Sequence, residues 1–516
     1  MNEIELKFLI ADTDAPKLRN RIKNLPGGDA LGRASTLRSI YFDTDAKVLK
    51  SEGIALRLRN AGREWLQTVK AKQSRNGGLQ SVLEFECAVP GGKLVIDAIE
   101  DDTLRDKIAL IAASQDLVAV CETEIKRTKA LIHCGDGSEV EVALDLGHVK
   151  AGERSEPLAE LELELKSGSL SALFSLAATL LPEGGLRFSR MSKSERGYLL
   201  ADEGHIGLDL SPRNSSNVSL LKEQPVELAA RDVFRECFEQ ITHNIEVVCD
   251  NDDPEGPHQL RVGLRRFRSA ATLLKSGVGG VNLSTLKDEA KWLGREVGTV
   301  RDLDVTVIDL LEPEAARHPQ LAGFNSLREA LIDHGNNARH HLRQVLRSER
   351  VHRFELNLAQ FIETRGWLDP DDHGQTQRLA TPINEVANSA LAHRWKKTTK
   401  RAQHIEALST EQRHELRKEL KKLRYAAEFF GPLYGKKKVN KFTSKLKKLQ
   451  DMFGSMNDLA MAETLLSGSD PVASGDPDAQ RAVGWILGSR TVQAEFDWTN
   501  ATALWNDLSN LKRFWE

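Results

Sequence analysis

The chain has 516 residues, of which 40% are hydrophobic and 28% charged. At roughly 100–200 residues per domain this is too long for one compact core, so about two to four domains are expected, and the composition excludes a disordered or fibrous chain. The 72 Lys+Arg against 75 Asp+Glu leave a net charge of -3, which excludes a uniformly basic nucleic-acid coat protein but not a strong local imbalance. No segment approaches the ~20 uninterrupted apolar residues of a membrane span, so no membrane partner is expected. Met1-Asn2-Glu3-Ile4-Glu5 lacks the basic start and apolar run of a signal peptide. The five cysteines (Cys87, Cys121, Cys134, Cys237 and Cys249) show no C-x-x-C spacing and read as reduced thiols of a cytoplasmic protein, neither zinc ligands nor a disulfide framework.

Up to about residue 200 the hydrophobic pattern has period two. Glu3, Glu5 and Lys7 alternate with Ile4, Leu6 and Phe8, and Arg57 and Arg59 with Leu56 and Leu58. Thr68 and Lys70 share one parity, and Glu84 and Glu86 flank Phe85. Glu139, Glu141 and Asp145 alternate with Val140, Val142 and Leu144, and Glu160, Glu162, Glu164 and Lys166 with Leu161, Leu163 and Leu165. Such alternation predicts strands with one apolar and one charged face. Cys134-Gly135-Asp136-Gly137 predicts a turn between two of them. Helical stretches are expected at 14–25, 103–113 and 169–181, so this half is mixed α and β and mainly antiparallel.

A run rich in Ser, Asn, Pro and Gly at 204–225 predicts a boundary, and residues 204–217 are taken as a linker between a first domain, 1–203, and a second, 218–516. From about residue 225 the period changes to 3.6, as in 226–249, 258–275 and 410–430, so the second half is expected to be all helical. It contains an internal repeat. His258-Gln-Leu-Arg261-Val-Gly-Leu-Arg265-Arg266-Phe-Arg268 aligns with His414-Glu-Leu-Arg417-Lys-Glu-Leu-Lys421-Lys422-Leu-Arg424. A second block running from Leu293 to Asp302-Leu303 aligns at the same offset with one running from Leu449 to Asp458-Leu459. Two blocks at one offset predict two related helical bundles in tandem.

The charged faces of the strands carry the chemistry of the first half. A solvated face usually mixes its signs, whereas here Glu3 with Glu5, Glu84 with Glu86 and Glu160 to Glu164 are acidic, and Arg57 with Arg59 basic. If the apolar faces pack under helices, the charged faces point at one another across a curled sheet. Carboxylates on neighbouring strands suit Mg²⁺ or Mn²⁺, which favour oxygen ligands and are often shared with phosphates. Arg and Lys suit phosphate oxygens. Both signs together fit a metal-bound polyphosphate better than a bare anion.

Glu3-Ile-Glu5-Leu-Lys7 resembles the E-x-E-x-K signature of the CYTH triphosphate tunnel metalloenzymes. Arg57-Leu-Arg59, Glu84 and Glu86, Arg127, Asp145, Glu160 to Glu164 and Lys193 in Ser192-Lys193-Ser194-Glu195 follow that family's pattern in order. The resemblance covers about residues 1–200. It implies an eight-stranded antiparallel β-barrel with flanking helices, enclosing a charged tunnel for triphosphate. Family activities include hydrolysis of inorganic triphosphate, thiamine triphosphate or RNA 5′-triphosphate, and adenylate cyclisation. Carried over, it implies that Glu3, Glu5, Glu162 and Glu164 hold metal, with Glu160, Glu84, Glu86 and Asp145 as lesser candidates. Lys7, Arg57, Arg59, Lys70 and Arg127 would clamp phosphates, Lys193 would help activate the attacking water, and Glu5 counts with Lys193 as catalytic.

In the helical half, His258, Arg261, Arg265 and Arg268 fall within a stripe about 80° wide on an ideal helix, and His414, Arg417, Lys421 and Arg424 share that spacing. Residues 391–450 hold 18 Lys+Arg and five Asp+Glu, the footprint of a polyanion-binding surface. Aromatics make up only 6% of the chain, so phosphate chains without bases fit better than single-stranded nucleic acid. This half resembles the CHAD domain over about residues 218–510. The resemblance implies two tandem four-helix bundles around a basic cavity or groove that binds inorganic polyphosphate through these eight residues. The expected whole is a cytoplasmic, metal-dependent inorganic triphosphatase. An adenylate cyclase, a thiamine triphosphatase and a non-enzymatic polyphosphate scaffold are the rivals.

Overall fold

In a computed structural model, the structure describes residues 2–29, 31–62, 64–76, 78–182, 187–207, 209–467, 472 and 475–516. Leu208, within the expected linker, lies outside the described residues. The chain forms two compact units: Met1–Asp209 with Ser348–Thr364, and Leu210–Arg347 with Arg365–Glu516.

The first unit is a closed antiparallel barrel. Its strands are β1 (Asn2–Leu9), β2 (Ser35–Asp43), β3 (Ala55–Ala61), β4 (Glu64–Asn76), β5 (Leu79–Ala88), β6 (Val118–His133), β7 (Glu139–Ala151), β8 (Arg154–Ser167) and a two-residue β9 (Arg187–Phe188). They follow the order β5-β4-β3-β2-β6-β7-β8-β1-β9, and a β5–β1 pairing, with Glu3 opposite Val82, closes the ring of eight. Gly137, at φ 85°, sits in the expected turn between β6 and β7.

Strand alternation sorts the side chains. One face is apolar and points outward under helices α1 (Ala15–Lys23), α2 (Val48–Ser51), α3 (Asp102–Ser114) and α4 (Leu170–Leu180). Leu56 and Val69, for example, pack with Leu49, Leu104, Ile108 and Ile111. The other face points into the lumen. α5 (Lys193–Glu203) packs against β6, β7 and β8, where its Leu200 joins Tyr41, Cys121, Ile125, Val149 and Leu158 in an apolar cluster on the lumen face. A capping box between Ser192 and Glu195 starts this helix and so fixes where Lys193, its first residue, points. A helix from much later in the chain, α12 (Glu349–Glu363), completes the unit by packing its apolar face on α4.

Gly147 on β7 lies close against the β6 backbone. A Cβ there would lie 2.0 Å from the Glu124 carbonyl oxygen and 2.8 Å from Ile125 Cα, both backbone atoms. Gly147→Val is therefore expected to destabilise the barrel by about 3 kcal/mol through overpacking, read as a lower unfolding midpoint in denaturant.

The second unit is helical. Its elements are α6 (Val226–Asp250), α7 (Glu255–Leu273), α8 (Lys275–Val278), α9 (Val281–Val305), a π-helical turn (Thr306–Leu311), α10 (Glu312–Arg317) and α11 (Gly323–Leu346). After the excursion to the barrel come α13 (Gln375–Ala380), α14 (Ile383–Arg401), α15 (Thr410–Phe430), α16 (Lys436–Ser467), α17 (Pro477–Trp498) and α18 (Ala501–Ser509). α6, α7, α9 and α11 pack in succession, as do α14, α15 and α16 with α18. The two sets share a core: Leu303, Phe324, Leu327 and Leu331 pack with Ala462, Leu466, Val483 and Ile486. α17 packs on both α11 and α16, so the repeats interlock.

Candidate functional site

The barrel lumen is lined by two linked groups of ionised side chains. The first centres on β8 and the start of α5. Lys193 Nζ donates to Glu160 at 2.7 Å and Glu162 at 2.6 Å and lies 3.0 Å from Asp145. Arg127 forks onto Asp145 through Nε and Nη2, at 2.7 and 2.6 Å, and reaches Glu162. Lys7 Nζ lies 2.9 Å from Glu5 and 3.0 Å from Glu162. The register explains the meeting, since Lys7 pairs with Glu162 and Glu5 with Glu164 across β1 and β8.

The second group spans β1, β3, β4 and β5. Lys70 bridges Glu3 at 2.5 Å and Glu84 at 3.1 Å, and Arg57 lies 3.2 Å from Glu84 and 3.9 Å from Glu86. Glu164 is held by Lys166 at 2.6 Å. Arg59 stands apart in that no carboxylate ion pair is described for it; its Nε, like that of Arg57, is buried with no hydrogen-bond partner.

Electrostatics follow this pairing. Although burial opposes it, Lys193, Lys7 and Arg127 hold Glu162 well below the usual carboxylate range. Against the same penalty, Glu160, Glu162 and Asp145 keep the Lys193 ammonium protonated well above its ordinary range. Lys70 and Arg57 outweigh burial at Glu84 and bring it to about 2. Arg59 goes the other way: burial, with Arg57 and Arg127 beside it, lowers it to about 10. Burial also raises Glu5, with Glu162 and Glu3 adding to the shift, and Glu164, with Glu3 and Glu141 adding to it.

No group of three or more His, Cys, Asp or Glu side chains among the described residues is drawn together in metal-ligating geometry. The donor chemistry nonetheless fits an oxygen-preferring divalent cation. The charge of Glu3 adds to the upward shift of both Glu5 and Glu164, and the cations among these carboxylates are phosphate ligands by type.

In the helical unit a cavity of about 400 Å³ lies between α7 and α9, lined by Arg261, Arg265, Arg268, Lys291, Arg295 and Asp302 among others. Asp302 accepts from Arg261 at 2.6 Å. α15 brings the second repeat to the same place, since Arg417 and Lys421 both feel Arg261 and Arg265. Burial and the charges of Arg265, Arg417 and Arg261 lower Lys421 to about 7, with Asp458 of α16 partly opposing them. Burial, with Arg301 next, lowers His258.

The CYTH domain model matches residues 1–198 and the CHAD domain model residues 232–467. The chain is a two-domain CYTH–CHAD protein. An inorganic triphosphatase of Haemophilus influenzae is 32% identical over 173 residues, which are 32% of this chain and 46% of that relative, so the match spans about half of the relative's length. An uncharacterised protein of Mycobacterium tuberculosis is 25% identical over 490 residues, covering 88% of this chain and 86% of that one. The CHAD domain from the plant Ricinus communis superimposes with a TM-score of 0.51 at 28% identity, over 58% of this chain and 98% of that domain.

Within the CYTH barrel, every lumen residue expected from the sequence falls into one of the two charge groups or beside them. Three further lumen side chains were not expected. Tyr41 hydrogen-bonds Arg57, Ser189 Oγ donates to Glu160 at 2.9 Å, and Arg196 Nε lies 3.6 Å from Glu160. Tyr41 pairs with Arg57 in register, but its parity looks apolar in sequence. In the CHAD domain, Arg261, Arg265, Arg417 and Lys421 converge and Arg268 lies on the same cavity. His414 and Arg424 are exposed, and Arg424 pairs with Glu428 at 2.6 Å. Lys291 and Arg295 of α9 also line the cavity, and the sequence signal for Lys291 is its alignment with Lys447 at the repeat offset. Among the described residues no helix is long and apolar enough to cross a membrane.

Proposed function

We propose that the CYTH barrel hydrolyses inorganic triphosphate to diphosphate and phosphate with Mg²⁺ or Mn²⁺, and that the CHAD domain binds inorganic polyphosphate. The observation that carries the first part is the composition of the lumen. Five cations there (Lys7, Arg57, Arg59, Lys70 and Arg127) face carboxylates that they balance, and Arg59 alone of the five lacks a described carboxylate partner. Triphosphate would take those cations, and the carboxylates Glu3, Glu5, Glu162 and Glu164 would hold the metal. When bound, the metal supplies neutralisation of phosphate oxygens. The relative named inorganic triphosphatase supports the same substrate.

The chain's own groups do the rest. Lys7, Arg57, Arg59, Lys70 and Arg127 fix the phosphates and offset charge as the P–O bond breaks. Lys193 is held protonated by its carboxylates, so it orients the attacking water as a donor and does not take its proton. Glu5, raised by burial and by Glu162 and Glu3, would accept that proton when it is not engaged by the metal. A panel of inorganic triphosphate, ATP and thiamine triphosphate tests the reading. Preferred turnover of inorganic triphosphate supports it, and cyclic AMP from ATP as the main product contradicts it.

For the CHAD domain the supporting feature is a cluster of four cations from both repeats, with Asp302 and Asp458 as its carboxylates. Polyphosphate placed there stabilises the ammonium form of Lys421. Binding is then expected to take up a proton, and affinity to fall as pH rises above about 7 and to stay level below that. Calorimetry in buffers of different ionisation enthalpy checks this, and Lys421→Arg is expected to flatten the pH dependence.

A further inference from the structure

Helix α17 has an apolar face that the described residues leave uncovered. Ala479, Ala482, Val483 and Ile486 are buried where the helix packs on α11 and α16. On the opposite side, at 3.6 residues per turn, the exposed Gly484, Trp485, Gly488, Val492 and Phe496 form one stripe. Trp485 is 45% exposed, Val492 71% and Phe496 65%. Large apolar side chains grouped on a surface mark a contact site. The Trp485 ring is already held in place, since Nε1 donates to Glu314 at 3.2 Å and the ring lies edge-on to His318 with centroids 4.5 Å apart. Gly484 and Gly488 run along the middle of the stripe. Glycine weakens a helix interior relative to alanine, yet a Cβ at either position would meet nothing within 4 Å. Packing within the chain therefore does not call for them. Small residues four apart let a second helix backbone come close.

The charges at the two ends of the stripe choose its occupant. Arg481 and Glu495 stand at equal distances from Gly488 on either side, about 10 Å along the helix axis. Two α17 helices crossing antiparallel at Gly488 set Arg481 of each copy against Glu495 of the other, and Trp485 against Val492. A parallel pair would set Arg481 on Arg481 and Glu495 on Glu495, and such like-charge contacts oppose association. Both side chains are accessible for the antiparallel pairing. Arg481 is 81% exposed beside Asp478 at 3.0 Å, and Glu495 is 70% exposed and 3.7 Å from Arg413. Exposed pairs of this kind hold their members only weakly. A face that complements itself across a two-fold axis is what an isologous dimer requires. We propose that the chain forms an antiparallel homodimer through α17, with Gly488 on the two-fold axis, Trp485 of each copy packed on Val492 of the other, Phe496 flanking them, and Arg481 paired with Glu495 at both ends. The dimer is independent of what the barrel hydrolyses and of what the basic cavity binds.

The test is sedimentation velocity on the full chain over about 1–100 μM, because one helix pair lies at the small end of specific interfaces and its affinity is expected in the micromolar range. A monomer–dimer equilibrium within that range is the expected result. Gly488→Gln places a side chain in open space, so the unfolding midpoint should hold or rise while dimerisation weakens about tenfold or more. Arg481→Glu and Glu495→Arg should each weaken the dimer alone and restore it together, since the double variant only reverses the pair. That restoration belongs to the antiparallel arrangement. A monomer throughout the range would overturn the proposal and leave the face to another occupant, the barrel unit or a different protein. A dimer that Gly488→Gln leaves intact, or a double charge variant as weak as the single ones, would overturn it as well.

Discussion

Arg59→Ala is expected to lower kcat/KM for inorganic triphosphate by about 10²–10³-fold, the usual cost of losing one preorganised donor to a charged reacting group. The reason lies in what Arg59 does without substrate. Its neighbours are spent on carboxylates, as Arg57 is on Glu84 and Arg127 on Asp145 and Glu162. Arg59 faces the like charges of Arg57 and Arg127, which Glu86 only partly opposes, and has no described carboxylate ion pair. A group held that way gains most when a polyanion arrives. The same imbalance means that its removal relieves repulsion, so the unfolding midpoint should hold or rise. Steady-state kinetics together with denaturant unfolding separate the two effects. A fall in activity that tracks a fall in stability would show that Arg59 serves the fold.

Lys193→Met is expected to do the opposite to stability. The ammonium lies within 3.0 Å of Glu160, Glu162 and Asp145, all of them buried. Taking it away leaves three carboxylates facing one another with Arg127, Lys7 and Arg196 to share among them. Breaking a buried ion pair from one side typically costs about 3–5 kcal/mol, and that loss is predicted here along with turnover. Because the damage is electrostatic, Glu162→Gln in the same chain should restore part of the stability without restoring activity. That non-additive result is what coupled groups give. Two independent, additive losses would contradict the network.

Much of this was legible from alternation alone. Glu3, Glu5 and Lys7 share a strand face because successive side chains point to opposite sides, and β1–β8 register then sets Lys7 against Glu162. The tandem blocks likewise placed Arg261 and Arg417, and Arg265 and Lys421, at matching positions, and the structure brings all four within electrostatic reach. What the sequence hid depends on distant contacts. β2 and α5 were not foreseen, although Ser192 and Glu195 spell a capping box, because an eleven-residue helix with mixed polarity has a weak period. α12 belongs to the barrel unit some 170 residues after α4, its packing partner. Nothing local in its amphipathic pattern says which surface it covers.

Release of one phosphate and one diphosphate per inorganic triphosphate, followed with Mg²⁺ or Mn²⁺ for the full chain and for Glu5→Gln, tests the central claim most directly. Turnover by the unaltered chain that the substitution abolishes while the fold is kept is the predicted result. No turnover by the unaltered chain with either metal, alongside tight polyphosphate binding, would contradict the account and leave a binding scaffold in its place.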